Sequence, residues 1–249
     1  MTTWTGNGRS EIGLVRAANQ DAFVAIDRLG LWAVADGMGG HVGGEIAAQT
    51  VIASVSAEAE SSGDLMRHGQ AAPAEFLRNL IVHAHEAIIG RAKLEPRLKG
   101  MGTTIVALFI PEVEPPTAHI AHVGDSRAYR FRSGRLTRLT RDHTLIEKYL
   151  ERGILTEASA QTHPERHVLT HALGMSSPVR PAIASHPLHR DDLLLLCSDG
   201  LTKMIDDDDL LKIFTETHKD PIRTCDRLIA ESLDRGGEDN VTVIVVVHS

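Results

Sequence analysis

The stretch Leu193-Leu194-Leu195-Leu196-Cys197-Ser198-Asp199-Gly200 decides the fold. Its apolar run is too short for a helix and has no polar alternation, so it describes a strand covered on both faces. The run stops on Asp-Gly. The same ending recurs at Ala33-Val34-Ala35-Asp36-Gly37 and at Val123-Gly124-Asp125, and Asp239-Asn240 stands just ahead of the last apolar run. In that last run Val241, Val243, Val245 and Val247 point one way while Ile244 and Val246 point the other, so it too is buried on both sides.

Working outward, further strands are expected over 22–26, 31–35, 103–110, 117–123, 127–132 and 135–139, each bounded by Gly, Pro, Asp or Ser. Gly124-Asp125-Ser126 and Ser133-Gly134 are too short for a parallel crossover, so 117–139 is expected to be an antiparallel meander. Pro111–Pro116 reads as a hairpin loop. Helical periodicity marks 45–60, 74–93, 145–152, 208–216 and 222–235. Sheets covered on both sides and joined antiparallel describe packed sheets flanked by helices. No repeat or linker divides the chain, so one domain over 1–249 is expected.

Composition excludes several classes. With 42% hydrophobic and 24% charged residues the 249-residue chain can bury a core. A net charge of −7 does not suit a general nucleic-acid binder. Two cysteines, Cys197 and Cys225, make neither a disulfide framework nor a metal site. The first residues lack the basic-then-apolar pattern of a signal peptide, and no apolar run approaches a membrane span, which together predict a reduced, cytoplasmic location.

Each Asp-Gly taken alone reads as a turn, because both residues favour turns. Four such aspartates at the ends of core strands are different, since packed sheets can deliver strand ends to one place. Gathered carboxylates repel one another and any phosphate. Hard divalent cations remove that repulsion and accept all-oxygen coordination, and a two-metal centre activates water for in-line attack at phosphorus.

Nine segments then occur in order: Arg16-Ala-Ala-Asn-Gln-Asp21, Asp36-Gly-Met-Gly-Gly-His41, Gly43-Gly-Glu-Ile-Ala47, Gly102-Thr-Thr104, His122-Val-Gly-Asp-Ser-Arg-Ala-Tyr129, Thr140-Arg-Asp-His143, Leu169-Thr-His-Ala-Leu-Gly174, Cys197-Ser-Asp-Gly-Leu201 and Asp239-Asn-Val-Thr242. Through nearly its whole length the chain resembles the protein phosphatase 2C (PP2C, or PPM) family of metal-dependent serine/threonine phosphatases, in its bacterial form. The resemblance implies an α+β fold, an αββα sandwich of two antiparallel sheets flanked by helices, with Mg²⁺ or Mn²⁺ in a cleft at one edge. It implies that Asp36 bridges two core ions, that the Gly37 carbonyl completes one, and that Asp199 and Asp239 bind the other. Asp125 would share a third, labile ion with Asp199. Gln20 and Asp21 would act through waters, and Arg16 would bind phosphate with its planar fork. Residues 144–168 resemble the family's flap, whose mixed charges suit a protein substrate. The partners implied are phosphorylated serine/threonine proteins and a bacterial kinase with its targets; neither nucleic acid nor membrane is expected as a partner, and the chain is expected to be a monomer.

Met38 departs from the pattern known in eukaryotic members, where a histidine often follows Asp-Gly as general acid. Methionine has no proton to give, so the leaving oxygen must take one from a water on the metal or from another side chain. His41, three positions on, is weighed as the substitute acid and dismissed.

Other signals are rejected. The Asp36–Gly44 loop has neither dinucleotide nor P-loop spacing. His163, His167 and His171 are spaced by four, but Pro164 interrupts them and no Glu completes a zinc motif, so they read as flap-surface residues. Asp206–Asp209 opens a helix, where acids complement the dipole. Cys197 reads as a core residue. A catalytically weak scaffold would be expected to lack Asp36, Asp199 or Asp239; all are present. A small phosphoester substrate is the third reading, separable only by assay.

Overall fold

The computed structural model describes residues 4–38, 43–67, 72–161, 163–175, 178–217 and 220–248. Its strands are β1 (Trp4–Glu11), β2 (Asp21–Ile26), β3 (Leu31–Met38), β4 (Gly102–Thr103), β5 (Ile105–Phe109), β6 (Thr117–Val123), β7 (Arg127–Arg132), β8 (Arg135–Arg138), β9 (Ala182–Pro187), β10 (Leu193–Cys197) and β11 (Val241–His248). Its helices are α1 (Gly43–Arg67), α2 (Pro73–Leu94), α3 (Leu145–Glu151), α4 (Glu157–Gln161), α5 (Asp199–Met204), α6 (Asp207–Glu216) and α7 (Pro221–Asp234).

Two antiparallel sheets result. One runs β1-β11-β10-β7-β8; the other runs β2-β3-β5-β6-β9, with β4 on β3. Three cores follow from the period of two along each strand. Between the sheets lie Trp32, Val34, Leu194, Leu196, Ile244 and Val246. Leu31, Ala33 and Ala35, on the other face of β3, pack on α1 and α2. Leu193, Leu195, Val241, Val243 and Val245 pack under α5, α6 and α7. The order helices, sheet, sheet, helices is the expected αββα sandwich.

One expectation is corrected. β6 and β7 do not form a meander: β6 pairs with β5 and β9, whereas β7 pairs with β10 and β8. The short Gly124–Ser126 connection crosses between sheets. Gly124 has φ +107°, and a Cβ there would lie 2.6 Å from Thr104 Cβ, so the crossing requires glycine. The expected 103–110 strand is also broken, into β4 and β5. The acidic run behaves as a cap: Asp206 accepts from the Asp209 amide (2.9 Å) at the start of α6.

Candidate active site

β3 is buried from Leu31 to Ala35 and delivers Asp36 at the sheet edge. β2 begins at Asp21, whose register partner is Asp36, so two carboxylates stand directly opposite one another. The Asp36 carbonyl is held by the Thr104 amide (2.9 Å) and Thr103 Oγ1 (2.8 Å). Its amide donates to Thr104 Oγ1 (3.2 Å), which is bonded to Ser126 Oγ (2.6 Å) beside Asp125. The Gly102-Thr103-Thr104 motif therefore fixes Asp36 and Asp125 together. At Gly37 a Cβ would lie 2.1 Å from the Gly44 carbonyl oxygen, so only glycine lets α1 start this close.

The other sheet contributes through Ser198, whose Oγ accepts from the Thr242 amide (3.0 Å) and donates to Asp21 Oδ2 (2.7 Å). Asp199 then opens α5, and a Cβ on Gly200 would meet the Asn240 carbonyl oxygen at 1.9 Å. Asn240 ties down the loop before β2. Its Oδ1 accepts from the Gln20 amide (2.8 Å), and its Nδ2 donates to the carbonyls of Ile12 (2.9 Å) and Ala18 (3.0 Å). That loop carries Arg16, whose Nε and Nη2 each lie 2.9 Å from an Asp239 oxygen.

A cleft of about 440 Å³ is lined by Arg16, Gln20, Asp36, Gly37, Asp125, Asp199 and Asp239. Asp21 stands behind Asp36. Every residue the sequence proposes for the site is thus in or against one cleft. Four polar side chains for which the sequence suggested no role in this site also line it: Thr104, Asn240, Lys203 and His167. Lys203 Nζ lies 2.7 Å from Asp199 Oδ2 and 2.9 Å from Asp239 Oδ2. Its four-residue offset from Asp199 on α5 is the only signal in the sequence.

The electrostatics separate an inner from an outer group. Asp36 keeps an edge open to the cleft but is enclosed at longer range. Burial first, then the charges of Asp21, Asp199 and Asp125, push it well above the usual carboxylate range. Burial chiefly raises Asp21 to about 7 and Asp125 to about 7, with Asp199 adding to both. At the outer Asp239, burial works upward, but the Lys203 ammonium and then Arg16 hold the carboxyl below its ordinary value. Cys197 is buried and its thiol is pushed up to about 12 by that burial, as befits a core residue.

The donor set suits hard cations. Asp21 Oδ1 and Asp199 Oδ1 are buried without a hydrogen-bond partner, a costly state that a cation relieves. Among the described residues no three His, Cys, Asp or Glu side chains are already drawn to ligand spacing; the Lys203 ammonium lies between two of the carboxylates instead. Met38 lines the cleft and offers no proton, while His41 lies outside the described residues. Residues 163–171 form turn and coil, so the three histidines do not align on a helix. His167 faces the cleft, with its pKa lowered by burial and then by Lys203 and Arg166. His171 packs edge-on to His143, with ring centroids 5.0 Å apart. Thr144 and Leu169, at the two ends of this segment, form an isolated antiparallel bridge.

The family model of protein phosphatase 2C matches residues 9–233. The serine/threonine protein phosphatase PstP of Mycobacterium tuberculosis is 37% identical over 239 residues, covering 95% of this chain, which spans 43% of PstP's own length. Serine/threonine phosphatase stp of Listeria monocytogenes is 33% identical over 241 residues, covering 96% of this chain and 93% of the relative. The catalytic domain of PstP, solved with two manganese ions, superposes with a TM-score of 0.83 at 33% identity and covers 100% of this chain and 99% of that one. Among the described residues no helix is long and apolar enough to cross a membrane.

Proposed function

The chain belongs to the protein phosphatase 2C family, and from that premise we propose that it hydrolyses phosphoserine and phosphothreonine in proteins with divalent metal ions. The observation that carries this reading is the convergence of Asp36, Asp125, Asp199 and Asp239, from both sheets, on one cleft with Arg16 at its rim.

Asp36, the Gly37 carbonyl, Asp199 and Asp239 would hold two core Mg²⁺ or Mn²⁺ ions, and Asp125 with Asp199 a third. Such ions lower the pKa of water and neutralise phosphate charge. The protein's own groups do the rest. Asp21 and Gln20 stand behind the ligands, with Ser198 and Asn240 fixing their places. Arg16 presents a fork that suits phosphate bidentately. Because Met38 cannot donate, the leaving oxygen takes its proton from water or another side chain.

The same reading makes phosphorylated proteins the substrates, with a bacterial serine/threonine kinase as the activity reversed. It takes residues 1–249 as one domain acting as a monomer, with residues 144–168 as the flap against which a substrate chain lies. The free buried thiols of Cys197 and Cys225 agree with a cytoplasmic setting. Hydrolysis of a phosphothreonine peptide with Mn²⁺, then with excess EDTA, beside an Asp36→Ala control, tests the reading. Turnover that survives the chelator or the substitution would overturn it.

A further inference from the structure

Lys203 is a fixed cation inside a group of metal-ligand candidates. It projects from α5 one turn after Asp199, and its ammonium spans Asp199 Oδ2 and Asp239 Oδ2 at 2.7 and 2.9 Å. Asp199 is thereby divided: Oδ2 is taken by the lysine, while Oδ1 is buried and unpartnered. Asp239 Oδ2 is shared between the lysine and Arg16. A second cavity of about 490 Å³, between the flap and the body, also has Asp125, Asp199 and Lys203 in its wall. The lysine therefore stands where the cleft meets this cavity, on the side from which Asp125 and Asp199 would share an ion.

We propose that the Lys203 ammonium and the most weakly held divalent ion compete for one place beside Asp199, so that Lys203 sets how weakly that ion is held. This rests on the metal-centre reading above. An ion ligated there must displace or face a positive charge at contact distance, and like charges at that range repel strongly in a half-buried site. The ion sharing Asp125 and Asp199 suffers most, because it has the fewest protein ligands to offset the repulsion. Of the core pair, the ion at Asp36 and the Gly37 carbonyl has neither of the lysine's partners as a ligand, and the ion at Asp199 and Asp239 faces the same ammonium but keeps Asp36 as well. The flexible four-carbon stem lets the ammonium leave when the ion enters.

The test is Mn²⁺ titration of the full chain by calorimetry and by electron paramagnetic resonance of free Mn²⁺, for wild type, Lys203→Met, Lys203→Gln and Lys203→Arg, with thermal melts to select folded variants. The weakest class of sites should tighten by roughly tenfold or more in Lys203→Met and Lys203→Gln, one decade being a modest free-energy change. Lys203→Arg should stay near wild type, since charge rather than shape is the cause. A weakest class that is unchanged or weaker in the neutral variants, or an arginine variant that behaves like them, would overturn the proposal. Absence of tight Mn²⁺ binding in the wild type would instead overturn the metal-centre reading itself.

Discussion

Asp21→Asn should stabilise the protein in chelator while harming it as an enzyme. Asp21 and Asp36 are register partners on adjacent strands, and like charges directly opposite one another destabilise a sheet. Burial, reinforced by Asp199 and Asp239, raises Asp21 from 3.8 to about 7. Each decade of such a difference is worth about 1.4 kcal/mol, so ionising folded Asp21 above pH 7 costs up to roughly 4 kcal/mol. The unfolded chain releases this proton near pH 3.8 and the folded chain near 7. Between those values the folded state holds the extra proton, and wild-type stability falls as pH rises. Asparagine carries no such slope, and its Oδ1 can still accept from Ser198 Oγ. In EDTA at about pH 8 the variant should gain roughly 2–4 kcal/mol, which for a domain of this size raises Tm by about 4–16 °C. At about pH 4.5 the gain should shrink to roughly 1 kcal/mol, because little of the penalty is then in force. Saturating Mn²⁺ should erase it by compensating the cluster. Melts at both pH values, with and without metal, decide the matter. A lower Tm for Asp21→Asn in chelator at pH 8, or an equal gain at both pH values, would refute the reasoning.

Three further outcomes are expected. Arg16→Ala should mainly raise KM, lowering kcat/KM by on the order of 10–150-fold from the loss of a charge-assisted hydrogen bond; a folded variant with unchanged kcat/KM would remove Arg16 from phosphate binding. Asp125→Ala should keep two tight Mn²⁺ ions in calorimetry but lose phosphopeptide turnover until metal is raised, whereas Asp239→Asn should lose tight binding itself; the reverse pattern would mean the two carboxylates have been exchanged in role. Asn240→Ala removes the bonds to Gln20, Ile12 and Ala18 and should cost about 2–4 kcal/mol in urea unfolding, with KM rising because the loop that carries Arg16 is no longer tied down.

What could be read before folding was local. The buried faces of β10 and β11 and the aspartates that end or precede them were legible because strand period and Asp-Gly punctuation are properties of neighbouring residues. β1 was not legible. Gly6 and Gly8 interrupt its pattern, and the reason for them lies elsewhere in the chain: Cβ atoms there would stand 2.2 Å from Trp32 Nε1 and 2.3 Å from Phe23 Cε2, so aromatic rings from the other sheet lie over the bare backbone. The meander failed for a related reason, since a tight turn limits the path of the chain but not the sheet its next strand joins. Asn240 was visible only as part of a motif, because its partners at Ile12, Ala18 and Gln20 are distant in sequence. Lys203 had no place in the reading of the sequence, because only α5 sets it over two carboxylates.

Lys203 bears on how a protein of net charge −7 can receive a phosphate dianion. Asp21, Asp36, Asp125, Asp199 and Asp239, once ionised, bring five negative charges to the cleft, and Arg16 and Lys203 return two. The remaining three would repel phosphate. Two divalent ions carry four positive charges, just enough to make the site attractive to an anion. Without Lys203 the same two ions would only balance the aspartates, and a third would be needed to reach a positive field. On the proposed metal-centre reading the lysine would let the cleft attract phosphate with the core pair alone, while opposing the extra ion that would otherwise supply that charge. Raising the metal concentration should then affect substrate KM less in the wild type than in Lys203→Met, because only the variant depends on a weakly held ion for the sign of its field. Equal metal dependence of KM in the two proteins would break this link between the lysine and the charge of the site.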